Sequence, residues 1–193
     1  EHKNYNPRII ESITNIDNIK NLNEDEYVKY ITQNLNNPHN IWHMEYCKLD
    51  EFGKTIIMII GSFLGDVEES KIKKIFSEIF EQKIFEYENL VESFLNIRTD
   101  VEDNTTMFNF INPSVKDYVI KNIFSDINKR SIIIKNIRYL EQFDFFKKIA
   151  DIINLSKIEL LNLLIEKWGY LEDEEIFKEG FLIENFTNEI IEN

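Results

Sequence analysis

The sequence is short of the residues that carry the most readable chemistry. Its 193 residues include one cysteine, five glycines, three prolines and a single alanine, Ala150. One cysteine, Cys47, excludes a disulfide framework and any multi-cysteine zinc site, and it fits a reducing compartment. So few glycines leave little room for a Gly-rich phosphate loop, and no P-loop, GxSxG, HExxH or CxxC pattern is present. No apolar stretch reaches the ~18 residues a membrane span needs. The most apolar run, Thr55 to Leu64, lies between Lys54 and Asp66 and suits a buried core helix. The first residues have no apolar stretch after a basic start, so they do not read as a signal peptide. A start at Glu1 without Met reads as a piece of a longer protein or a processed product. Scarce alanine beside abundant Ile, Asn and Lys reads as codon bias from an AT-rich genome. Basic residues are also short: 22 Lys+Arg face 35 Asp+Glu, a net charge of -13, which argues against a general nucleic-acid binder.

What is present is a globular, mostly helical pattern. At 43% hydrophobic and 13% aromatic, the chain is too apolar for disorder. A chain of this size can bury roughly 70% of its unfolded surface, so it needs no staples. Asn6-Pro7-Arg8 opens an amphipathic helix with Ile9, Ile10, Ile13 and Ile16 on one face. Asn23 to Glu26 is a capping box, and a second helix follows with Tyr27, Val28 and Ile31 inside. Pro38 starts a third helix carrying Ile41, Trp42 and Tyr46, and Asp50 caps the apolar helix that runs to about Leu64. Gly65-Asp66 is a turn, Val67 to Phe80 an amphipathic helix, and Glu86 to Asn96 a shorter one. The period then changes. Two short extended runs, 94–99 and 107–111, flank a polar turn and read as a β-hairpin. Asn112-Pro113-Ser114 ends the second strand and caps a helix from Val115 to Phe124.

Helices followed by a two-stranded hairpin give the order of a winged helix, placed at residues 38–124; a plain helical bundle with one irregular loop is the competing pattern. From Ser125 on everything reads as helix: about 129–139, 142–153, 156–168 and two shorter pieces, with a capping box at Ser156-Lys-Ile-Glu159 and Gly169 at a helix C-cap. Residues 129–148 hold six basic residues against two acidic ones, whereas 151–193 hold three against eleven. That contrast predicts two solvated faces or a contact within the chain or between domains.

Candidate chemistry is sparse. His39 and His43 share one helix face, but a metal needs a further ligand, and Glu45 and Cys47 are poorly placed for it. The expectation is no metal site, with Cys47 a small buried hydrophobe. The helix before the wing carries Glu86, Glu88 and Glu92 without a base, and the wing tip carries Asp100, Glu102 and Asp103. Acids on both surfaces that normally meet phosphates would repel DNA.

Several phrases in order resemble the C-terminal half of a STAND-class signal-transduction ATPase module, related to AAA+ and NB-ARC proteins. They are Asn6-Pro-Arg-Ile-Ile-Glu11, Asn36-Asn-Pro-His-Asn-Ile-Trp42, the Leu49–Leu64 helix, Leu90-Val-Glu-Ser-Phe-Leu95 and Phe110-Ile-Asn-Pro-Ser-Val-Lys-Asp-Tyr118. The resemblance covers about residues 4–124. It implies a mainly α fold divided into a helical lid end (1–37), a winged-helix domain (38–124) and a helical segment opening a sensor or repeat region (125–193). It also implies a lid motif at Asn6 and Pro7, with Arg8 as a nucleotide-phosphate sensor, a task suited to an arginine fork. Asn112 stands where NB-ARC winged helices carry their ADP-holding histidine. The Walker motifs would lie upstream, so the chain itself would be non-catalytic and hold no cofactor. ATP or ADP with Mg, an upstream nucleotide-binding core, a downstream sensor and activated homo-oligomers belong to the implied parent, a cytoplasmic protein of bacterial defence. Two other readings stand beside this one: a free-standing acidic helical module that binds a protein, and a winged-helix DNA-binding regulator.

Overall fold

A computed structural model describes residues 6–81, 84–91, 93–100 and 104–167. The fold is mainly helical with one small antiparallel sheet. The first helix, α1 (Pro7–Thr14), starts where Asn6 accepts the Arg8 N–H at 2.9 Å and Pro7 takes the first position. It ends two residues short of the last apolar position that its periodicity predicts. Asn15 caps a separate short helix, α2 (Ile16–Ile19), so Ile16 leaves the apolar face and is 74% exposed, while Ile9 and Ile13 are buried. The Asn23–Glu26 capping box forms reciprocally at the start of α3 (Glu24–Asn36). This helix lies on the core rather than in it: Tyr30, Ile31 and Leu35 pack partly buried, and Val28, expected inside, is exposed.

Helix α4 (His39–Lys48) buries Ile41, Trp42 and Tyr46, and α5 (Glu51–Gly61), capped by Asp50, is almost wholly buried. Where the sequence predicts a turn running straight into a helix, Val67–Glu68 forms a short strand, β1, before α6 (Glu69–Ile79). Two residues carry no period, and their partner lies some forty residues away, so nothing local announces this strand. The predicted helix over 86–96 contracts to α7 (Glu88–Val91), because the chain must be extended by Leu95 to enter β2 (Leu95–Asp100). β2 pairs with β3 (Thr105–Phe110) from Leu95↔Phe110 to Asp100↔Thr105, and β1 pairs on the other edge of β3 through Val67↔Phe108. The sheet order β1-β3-β2, with two helices between β1 and the hairpin, is winged-helix connectivity.

After the hairpin, Asn112 caps α8 (Pro113–Tyr118), which widens into a π-helical turn at Val119–Ile123. Helices α9 (Ile127–Lys135), α10 (Leu140–Ile153) and α11 (Lys157–Lys167) follow, α11 opening on the predicted Ser156–Glu159 box. Polar contacts from the stretch that opens α10 dock the later helices on residues 38–124: buried Gln142 donates to Ser62 Oγ at 2.8 Å, Glu141 accepts from the Leu64 and Gly65 N–H groups, and Arg138 pairs with Glu78 at 2.6 Å. Within 38–124, Lys116 of α8 donates to the Phe63 and Leu64 carbonyls. Of the basic stretch 129–148, read as a solvated face or a contact within the chain or between domains, Arg130 makes a contact within the chain: it is buried and donates to the Phe124 and Ile153 carbonyls, at the C-terminal ends of two helical segments. The apolar core runs without a break from Ile9 to Leu163.

Candidate functional site

Arg8 sits in the first turn of α1, half-buried, with its guanidinium 3.0 Å from the exposed Glu11 carboxylate. It lines an open cavity of about 280 Å³ with Ile41, Met44, Glu45 and Lys48 of α4. A second cavity, about 420 Å³, shares Glu45 and Lys48 and continues to Leu49, Phe52, Glu86 and Leu90. Together they form a groove along α4 from Arg8 to the helix before the wing. Lys48, which bonds Glu45 at 2.6 Å, stands at its middle. Neither residue carries a motif, and only the tertiary fold brings them to the cavity that Arg8 lines.

Asn6 and Pro7 serve the helix start: Asn6 is buried, and its side-chain oxygen is used by the Arg8 N–H. Asn112 lies elsewhere. It is buried at the α8 N-terminus, where its oxygen accepts from the Ser114 N–H at 2.9 Å and the Ser114 hydroxyl at 2.7 Å. The Ser114 hydroxyl in turn accepts from Trp42 Nε1 at 2.9 Å. Asn112 thus fastens the exit of the hairpin to α4 and is not among the residues lining the Arg8 cavity. Of the four residues singled out in the sequence, three meet at one helix start and the fourth belongs to a separate cap.

The opposite face of α4 carries a second polar cluster. His39, His43 and Cys47 follow one another at single-turn spacing and face Tyr118 of α8. His43 Nδ1 is 3.0 Å from the Tyr118 hydroxyl, and its Nε2 is 3.6 Å from Cys47 Sγ. Cys47 is exposed, so the expectation of a buried thiol fails: Tyr46, one residue earlier, takes the inward position. Burial, with a smaller push from Cys47, drives the Tyr118 hydroxyl up to about 12, so it stays neutral at physiological pH. Among the described residues no group of three or more His, Cys, Asp or Glu could hold a metal ion.

On the wing side, Glu86 and Glu88 are exposed around α7 and Asp100 is exposed at the end of β2. Arg98 of β2 pairs with Asp66. Glu92, Glu102, Asp103 and Gly169 lie outside the described residues. No helix among the described residues is long and apolar enough to cross a membrane. No protein-family model, no curated protein and no solved structure matches this chain.

Proposed function

We propose that this chain is a non-catalytic regulatory segment of a STAND-class NTPase, coupling the nucleotide state of an upstream core to movement of a downstream helical sensor. The observation that carries this reading is the order in space of its parts. A capped helix presents Arg8 into an open cavity, an acidic winged helix follows, and further helices dock tightly on that winged helix. Nucleotide exchange in the parent would bias two arrangements of the lid and winged helix against the core. ATP or ADP with Mg would be held mainly by that core. Arg8 would reach its phosphates, while Asn112 would keep its capping role at the wing exit. Oligomerisation of a cytoplasmic bacterial defence protein would be the output.

The test begins with the coding sequence upstream of Glu1, where a P-loop within about one domain length is expected. In the P-loop-containing protein, Arg8→Ala should weaken nucleotide binding by about tenfold or more, the worth of a charge-assisted phosphate contact. Unchanged affinity and ATPase rate would remove the sensor role, and an upstream region without a P-loop would overturn the whole reading.

A second reading, an acidic helical module that binds a protein, is favoured by Glu86 and Glu88 standing exposed where a winged helix would meet phosphates. The same acids argue against DNA binding. In a mobility-shift assay at low salt we expect no retardation of duplex DNA.

A further inference from the structure

We infer that His39 is an acid-sensitive pin between α4 and the π-helical turn, and that its protonation releases the turn. This inference does not depend on the proposed function. Its basis is a donor–acceptor pairing between half-buried His39 and exposed Asn122. The Asn122 side-chain nitrogen lies 3.1 Å from the Tyr118 carbonyl oxygen, which can only accept, so that nitrogen is the amide donor. The same nitrogen stands 3.3 Å from His39 Nδ1. A donor there requires Nδ1 to carry a lone pair, which makes His39 a neutral imidazole with its proton on Nε2. Protonation would turn Nδ1 into a second donor facing a donor, and the contact would be lost. His43 is different. Its Nδ1 faces the Tyr118 hydroxyl, which gives or takes a hydrogen bond equally well, so either charge state of His43 keeps its contact.

The charged surroundings fit. Burial and the Lys121 ammonium disfavour the His39 imidazolium and lower its pKa, while Asp117 works weakly against them. The other titratable groups facing this seam are His43 and Cys47 on α4 and Tyr118 on α8; Lys129 of α9 lies over the Tyr46 ring. With its folded-state pKa depressed, His39 contributes stability above the unfolded histidine value of about 6.5, and that contribution is lost as pH falls through the folded value. The pin joins the helix that opens the winged-helix segment to the turn that leads into α9. Acid would therefore loosen the junction between the parts before and after the hairpin.

The test compares melting of the whole chain from pH 7.5 to 5.5 with three variants, alongside NMR titration of the two imidazoles. His39 should titrate below about 6.5. His39→Gln, which keeps an acceptor at all pH values, should melt about 1–2 °C less steeply over that range than the wild type. His43→Gln should keep the wild-type slope. Asn122→Asp places an acceptor opposite Nδ1, so it should raise the His39 titration midpoint and reduce or invert its share of the slope. An unchanged slope in His39→Gln, a slope lost in His43→Gln instead, or a His39 midpoint at or above the free-histidine value would each overturn the inference. Should His39→Gln fail to fold, the Asn122→Asp midpoint decides it.

Discussion

A methyl group at Gly61 would sit 2.7 Å from Val119 Cγ1, closer than side chains approach one another in a packed core. The neighbour cannot swing away, because Val119 is buried in the π-helical turn and β-branched. Gly61→Ala should therefore destabilise the fold by about 1–3 kcal/mol through overpacking, read as a lower urea midpoint with an unchanged slope. Gly65→Ala, where nothing lies within 4 Å, is the matched control and should change the midpoint little. In the sequence, Gly61 is one more member of an apolar run. Its need for space comes from a segment almost sixty residues later, which no local pattern can reveal. Cys47 and Ile16 show the same limit. Helical period marks which residues share a face, but burial follows from which face another element covers.

Elements were legible where their ends carry local chemistry. The capping boxes at Asn23–Glu26 and Ser156–Glu159 formed as their spacing implies, and so did the Asn6, Asp50 and Asn112 caps. Each is satisfied within a few residues, so the sequence contains both partners. β1 and the shortening of α7 were hidden because both are settled by β3, a partner distant in sequence. The join between α5 and α10 was equally hidden. Gln142 is fully buried; its carbonyl oxygen accepts from the Arg138 N–H at 3.0 Å and the Tyr139 N–H at 3.3 Å, while its amide bonds Ser62. Gln142→Ala would strand those groups and leave a cavity, costing about 2–4 kcal/mol in equilibrium unfolding. A loss well under 1 kcal/mol would mean that the join carries little of the fold's stability.

The described residues are tied by one continuous apolar core, from Ile9 of α1 to Leu163 of α11, which reaches into all three segments suggested by the resemblance. Continuous cores unfold cooperatively. Urea unfolding followed by far-UV circular dichroism and by tryptophan fluorescence should give superimposable transitions. Two separated transitions would show that the helices after the hairpin are an independent unit.

By itself, the sequence determined the helical class, the position of the hairpin and most helix starts, because capping and periodicity are satisfied by neighbours along the chain. It also fixed the acidic character of the surface before the wing, which depends only on residue types. Only the tertiary structure decided that Arg8 meets Lys48 and Glu45 in one groove and that Asn112 is spent in a cap away from it. The tertiary structure also set His43 against Cys47 and buried Arg130 among helix-end carbonyls. Each of these depends on how one helix lies across another, and that is set by long-range packing rather than by local pattern.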